Sequence, residues 1–182
     1  MKKTRTAAAV VFGLIGPLWW AVAEGKSPAK PAHTAAEVKA AEPKAAEAKA
    51  ANIKTQDVEY KVGQAVLLGQ LVWDESQTGK RPGVLVVHEW WGLNAHAKNQ
   101  AARLAKAGYV AFALDMYGKG KLAQHPKDAQ AFVAEATADP ATAKARFAAG
   151  LTQLKKAPQV DPGQIAAIGY CFGGAVVLDM AR

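Results

Sequence analysis

Ile165-Ala166-Ala167-Ile168-Gly169-Tyr170-Cys171-Phe172-Gly173-Gly174 runs from a short apolar segment through a tight turn into the start of a helix. Its Gly-x-Cys-x-Gly spacing is that of a nucleophile elbow with sulfur in place of the serine oxygen. A turn this sharp forces its central residue into a strained backbone conformation and leaves no room for a Cβ two residues before or after it. The Cys171 thiol then stands at a helix N-terminus, whose dipole favours the thiolate. The first free N–H of that helix, from Phe172, points where an oxyanion would form. The bland alternative is a small buried cysteine at the strand–helix turn of a nucleotide-binding fold. Such a turn prefers Gly-x-Gly-x-x-Gly, which this sequence lacks. Cys171 is the single cysteine, so no internal disulfide accounts for it.

Working outward, apolar runs alternate with helical stretches. Val58, Tyr60 and Val62 alternate with polar residues, and Gly63-Gln64 signals a turn before Ala65–Val72, which predicts an antiparallel pair. Val84–Val87 and Tyr109–Leu114 read as strands buried on both faces. Ala95–Ala107 reads as a helix closed by Gly108. Lys127–Thr137 and Pro140–Lys156 read as two more, the second opened by Asp139-Pro140 as N-cap and first residue. Asp161-Pro162 marks a turn before the strand Ile165–Gly169, and Phe172 begins a last helix. This order predicts an α/β fold, a mostly parallel sheet with helices on both faces and an antiparallel lead-in.

A second constellation, His88-Glu89-Trp90-Trp91-Gly92-Leu93-Asn94, follows the first buried strand. Ligands of such folds bind beyond the carboxyl ends of the strands. The loop can supply a second oxyanion donor, the Trp90 amide, opposite that of Phe172. A carboxylate at Glu89 beside a thiol can exchange a proton with it; the alternative is a solvated loop with two packing tryptophans. His88 at the strand end reads as a structural, hydrogen-bonded histidine rather than a base.

These two motifs, with Gly108-Tyr109-Val110-Ala111-Phe112-Ala113-Leu114-Asp115-Met116-Tyr117-Gly118 between them, resemble the dienelactone hydrolase family over residues 57–182. The resemblance implies an α/β-hydrolase fold and a Cys-His-Asp triad acting on enol-lactones and related esters, with no metal and no cofactor. Carried over, Cys171 is the nucleophile, Glu89 the carboxylate that interacts with it, and Trp90 and Phe172 the oxyanion backbone donors. Lys119 resembles a position that presents a cation to a substrate carboxylate. The triad order is nucleophile, acid, histidine, so both partners are expected after Arg182 and the domain is expected to be C-terminally incomplete. His33, His96 and His125 fall in a linker, a helix start and a loop. The expected function is hydrolysis of a small-molecule ester or lactone through a cysteine thioester, with this chain itself inactive in turnover. The missing strands are expected to leave Ile165–Gly169 with an unpaired edge. Two rivals are an exported, catalytically dead binding protein that keeps the pocket, and a thiol-transfer protein, which lacks a resolving cysteine.

The N-terminal third departs from globular composition. Met1-Lys2-Lys3-Thr4-Arg5 precedes an apolar stretch from Ala7 to Ala23, and Ala21-Val22-Ala23 matches a signal-peptidase site, so residues 1–23 read as an export signal. Membrane attachment is expected only if this segment is kept as an anchor. Residues 24–52 are almost entirely Ala, Lys, Glu and Pro and read as a disordered linker, helical around Ala45–Ala50. The domain then occupies 53–182. Of the formal net charge of +8, Lys2, Lys3 and Arg5 contribute three, leaving 8 − 3 = +5 spread along the chain, which gives no basic block for nucleic acid. N-terminal sequencing of protein from the periplasm or medium is expected to start at Glu24, and an intact Met1 in membranes would show an anchor instead.

Overall fold

The structure is a computed structural model that describes residues 51–182. Residues 1–50, which hold the segment read as an export signal and most of the segment read as a linker, lie outside the described residues. The elements are β1 (Ile53–Val62), β2 (Ala65–Asp74), β3 (Arg81–Val87), α1 (Ala95–Lys106), β4 (Val110–Leu114), α2 (Pro126–Thr137), α3 (Pro140–Lys156), β5 (Val160–Gly169) and α4 (Phe172–Met180). Among the described residues no helix is long and apolar enough to cross a membrane.

The five strands form one sheet in the order β1-β2-β4-β3-β5. β4, β3 and β5 are parallel, whereas β1–β2 and β2–β4 are antiparallel. The sheet is therefore mixed, and the expected parallel arrangement holds for three of its five strands. The antiparallel lead-in is present as expected: the hairpin β1–β2 forms two strands of the sheet and docks onto β4. It pairs along its whole length, from Val62↔Ala65 to Ile53↔Asp74. Gly63, at φ 57°, closes the two-residue turn that the Gly63-Gln64 signal anticipated.

Alternation along the strands divides the core between two faces. Leu85, Val87, Val110, Phe112 and Leu114 point to the face covered by α2, α3 and α4. Val72, Val86, Ala111 and Ala113 point to the face covered by Ala101 and Ala105 of α1. Small residues on the α1 side let that helix approach closely. On the other side, Gly150 of α3 lies where a Cβ would stand 3.0 Å from the Leu114 Cβ. Helices cover both faces, as expected.

Two boundaries move for physical reasons. Asp161-Pro162 interrupts a strand rather than preceding one. β5 pairs Asp161 with Pro82 and then Ile165 with Gly83, so Pro162, Gly163 and Gln164 bulge out of the ladder. The Asp161 carboxylate accepts the Gly163 amide at 2.9 Å and closes that bulge. At the other end Asn52, assigned to the linker from sequence, is tied into the domain. Its amide donates to Asp74 Oδ1 at 2.9 Å and its carbonyl accepts the Glu75 amide at 2.8 Å.

Asp74 thus closes the end of the sheet where the chain enters. Burial alone would raise its carboxyl, but hydrogen bonds from Ser76, Asn52 and Gln77 outweigh burial and hold it at about 2. A depressed carboxyl stabilises the fold above its unfolded pKa and loses that contribution as pH falls through the folded one. Asp74→Ala is therefore expected to lower the urea midpoint at pH 7. The gap to the parent should close as pH falls from about 4 to about 2; a gap independent of pH would show that the carboxylate charge is not what matters.

Candidate active site

Val87 and Gly169 are register partners on adjacent parallel strands. The segments that follow, His88-Glu89-Trp90 and Tyr170-Cys171-Phe172, therefore leave the sheet side by side at its carboxyl end. This pairing brings the two sequence motifs together.

The turn into α4 is strained as the glycine spacing anticipated. Cys171 has φ 51° and ψ −116°, and it is the sole non-glycine residue with positive φ among the described residues. A Cβ at Gly169 would fall 2.1 Å from the Gly173 carbonyl oxygen. A Cβ at Gly173 would fall 2.4 Å from Val87 O and 2.5 Å from His88 O. Helix α4 can start against the end of β3 only because both positions lack side chains. Cys171 itself is exposed.

The amides around this turn fall into two sets. Gly173 N donates to Tyr170 O at 2.9 Å and Ala175 N donates to Cys171 O at 3.2 Å. The amides of Phe172 and Trp90 have no acceptor among the described residues. Both are left for a ligand oxygen or solvent. Across the site, Glu89 is half-buried, and neither its carboxylate nor the Cys171 sulfur makes a hydrogen bond within the described residues.

His88 is fully buried, and both ring nitrogens are engaged. Nε2 accepts the Met116 amide at 3.1 Å, and Nδ1 lies 2.5 Å from the Glu89 carbonyl oxygen. The amide can only donate, so Nε2 carries no proton and Nδ1–H donates to Glu89 O. Burial pushes the ring below the ordinary imidazole range, against the opposing pull of the Glu89 carbonyl and Asp115. The ring is edge-on to Tyr117 at 4.7 Å between centroids, with Phe172 at 6.0 Å.

Three residues given no role from sequence support these loops. Buried Asp115, at the end of β4, accepts the amides of Tyr117 at 2.8 Å and Gly118 at 2.9 Å through one oxygen. Its other oxygen accepts the Leu68 amide at 3.2 Å. Tyr117 donates its hydroxyl to Trp90 O at 3.1 Å. Burial, then the neighbouring Cys171 charge, pushes that hydroxyl above the usual phenol range. Arg146 of α3, also buried, donates to Met116 O at 2.6 Å. A strand-end aspartate with glycine three positions later, Asp115 and Gly118, is a turn signal that could have pointed to Asp115. Arg146 leaves no comparable trace in the sequence.

Lys119 is engaged in an ion pair. Its ammonium pairs with Glu59 at 2.5 Å, on β1 at the opposite edge of the sheet from β5. Hydrogen bonding and the charge of Lys119 hold Glu59 below its ordinary carboxylate value. The cation expected to meet a substrate carboxylate is half of an exposed ion pair here. His96 stacks edge-on against Tyr170 at 5.8 Å, and His125 caps α2. Among the described residues no group of three or more His, Cys, Asp or Glu side chains is gathered closely enough to hold a metal ion.

A strained strand-to-helix turn of this kind, beside a second loop with a free amide, is the arrangement found in the α/β-hydrolase class. The chain matches the sequence model of the dienelactone hydrolase family over residues 68–182, and it belongs to that family. It is 36% identical over 104 residues to "Protein usf" of Aquifex pyrophilus, covering 55% of this chain and 45% of that protein. It is equally similar, with the same coverage, to a "Putative carboxymethylenebutenolidase" of Aquifex aeolicus. Among solved structures it resembles the dienelactone hydrolase-like promiscuous phosphotriesterase P91 from metagenomic libraries. That match has a TM-score of 0.68 and 39% identity, covering 71% of this chain and 54% of that one. The chain spans about half the length of these relatives.

The two glycines of α4 are expected to differ sharply. Gly173→Ala drives a Cβ into backbone and should destabilise the domain by about 1–3 kcal/mol or more. Gly174→Ala meets Gly169 O at only 3.3 Å, and its gain in helix propensity should keep the change within about 1 kcal/mol. Urea unfolding of both variants checks this; equal effects would mean that α4 does not abut β3 as described.

Proposed function

We propose that Cys171 is the nucleophile of a hydrolase that cleaves a small-molecule ester or lactone through a thioester. The observation that supports this reading most is the left-handed backbone of Cys171 between two glycines with no room for a Cβ. Strain of that kind persists only where the surrounding structure enforces it, and it clusters at reacting residues. Membership in the dienelactone hydrolase family supports the same chemistry.

In this scheme the Cys171 thiolate attacks the carbonyl carbon and the carbonyl electron pair moves onto oxygen. The Trp90 and Phe172 amides donate to that oxyanion. Collapse of the intermediate forms the thioester and expels the alcohol oxygen, which takes up a proton. The Glu89 carboxylate, on the neighbouring loop, exchanges a proton with the sulfur before attack. Hydrolysis of the thioester requires a base to activate water. His88 cannot serve, since both its nitrogens are engaged, and neither His96 nor His125 bonds to Cys171. The described residues therefore support acylation rather than full turnover. Export, with residues 1–23 removed, is proposed on the N-terminal sequence alone.

Mixing the chain with p-nitrophenyl acetate is expected to release about one p-nitrophenolate per chain and leave acetyl on Cys171, as mass spectrometry of the labelled peptide would show. Cys171→Ala should abolish the release. A parent chain that remains unacylated, or a release that survives Cys171→Ala, would overturn the proposal.

A further inference from the structure

We infer that His88 is a positioning residue that aims the Trp90 amide at the oxyanion. The inference rests on the proposed role of that amide and concerns a residue the reaction scheme leaves unused. The atoms connect in one chain. Met116 N donates to His88 Nε2 at 3.1 Å, which places the ring proton on Nδ1. Nδ1–H then donates to Glu89 O at 2.5 Å. The Glu89 carbonyl and the Trp90 N–H belong to one planar peptide unit, in which C=O and N–H point in opposite directions. A hydrogen bond that pulls the carbonyl oxygen toward the buried ring therefore turns the Trp90 N–H outward, away from the core.

The ring is itself immobilised. It is fully buried between the ends of β3 and β4 and packed edge-on against Tyr117 at 4.7 Å. Arg146 anchors the other end of the chain of bonds by donating to Met116 O at 2.6 Å. Tyr117 steadies the next peptide through Trp90 O at 3.1 Å. The Glu89 carbonyl also accepts the Gly92 amide at 3.3 Å, a longer turn bond, so loss of His88 would loosen the peptide plane without releasing it. Oxyanion donors act by being fixed before charge develops, and a loosened donor forfeits part of that advantage.

The test separates aiming from general support by comparing two reactions of the same sulfur. Acylation by p-nitrophenyl acetate develops an oxyanion, whereas alkylation by iodoacetamide displaces iodide and develops none. His88→Leu removes both ring hydrogen bonds; His88→Gln keeps one donor and one acceptor. Removing one oxyanion donor outright costs roughly 100-fold to 1,000-fold. His88→Leu is expected to slow acylation by about tenfold to 100-fold while alkylation stays within about threefold, and His88→Gln should recover most of the acylation rate. Equal slowing of both reactions, or no slowing of acylation, would overturn the inference. Should His88→Leu not fold, the ¹⁵N spectrum of the parent decides: a neutral ring protonated at Nδ1 from pH 5 to pH 8 is expected, and a ring protonated at Nε2 would overturn it. A parent that is never acylated would instead sink the nucleophile proposal itself.

Discussion

Gly173 lies so close to the end of β3 that a methyl group there would collide with two backbone carbonyls, those of Val87 and His88. That approach constrains much of the carboxyl end of the sheet. It sets where α4 begins, and with Gly169 it forces the backbone reversal that leaves Cys171 at φ 51°. Because Val87 and Gly169 are register partners, the same approach puts the Glu89–Trp90 loop beside the start of α4. The strain at Cys171 is tolerated because the parallel ladder β4–β3–β5 and the two-faced core hold the surrounding backbone in place.

The loops at this end are held mainly by hydrogen bonds between buried polar groups and backbone. Asp115 organises the turn after β4 through two of its amides and fastens it to β2 through a third, and Arg146 and His88 tie that turn to its neighbours. Buried groups of this kind cost most when one partner is lost. His88 shows the consequence for chemistry. A residue of a type that often acts as a base is here committed through both nitrogens to shaping backbone.

Much of this was legible in the sequence where the signal was local. Asp139-Pro140 marked the start of α3 because the aspartate caps the first turn itself, accepting the Ala141 and Thr142 amides. The strained turn at Cys171 was legible because steric exclusion at two glycines is a matter of neighbouring residues. What depended on distant partners was not. The pairing of Lys119 was not legible because its partner, Glu59, lies sixty positions earlier on an edge strand. The bulge in β5 was read as a turn because only the register with β3 shows that Val160 and Asp161 are already in the ladder. Tyr117 and Arg146 acquire their roles from contacts that no spacing encodes. The placement of the antiparallel hairpin next to β4, which makes the sheet mixed, is likewise a property of packing.

The tie between Asn52 and the end of β2 gives the domain a direction. Asn52, Asp74 and Arg81 gather at one end of the sheet, where Arg81 donates to the Asp74 carbonyl at 2.8 Å. Cys171 and its loops lie at the other end, separated by the length of β3, about 20 Å of extended chain. The polypeptide therefore enters the domain on the side remote from the thiol. A carrier joined directly at Asn52 attaches at the blunt end of the sheet, opposite the exposed sulfur, and leaves a ligand's line of approach open.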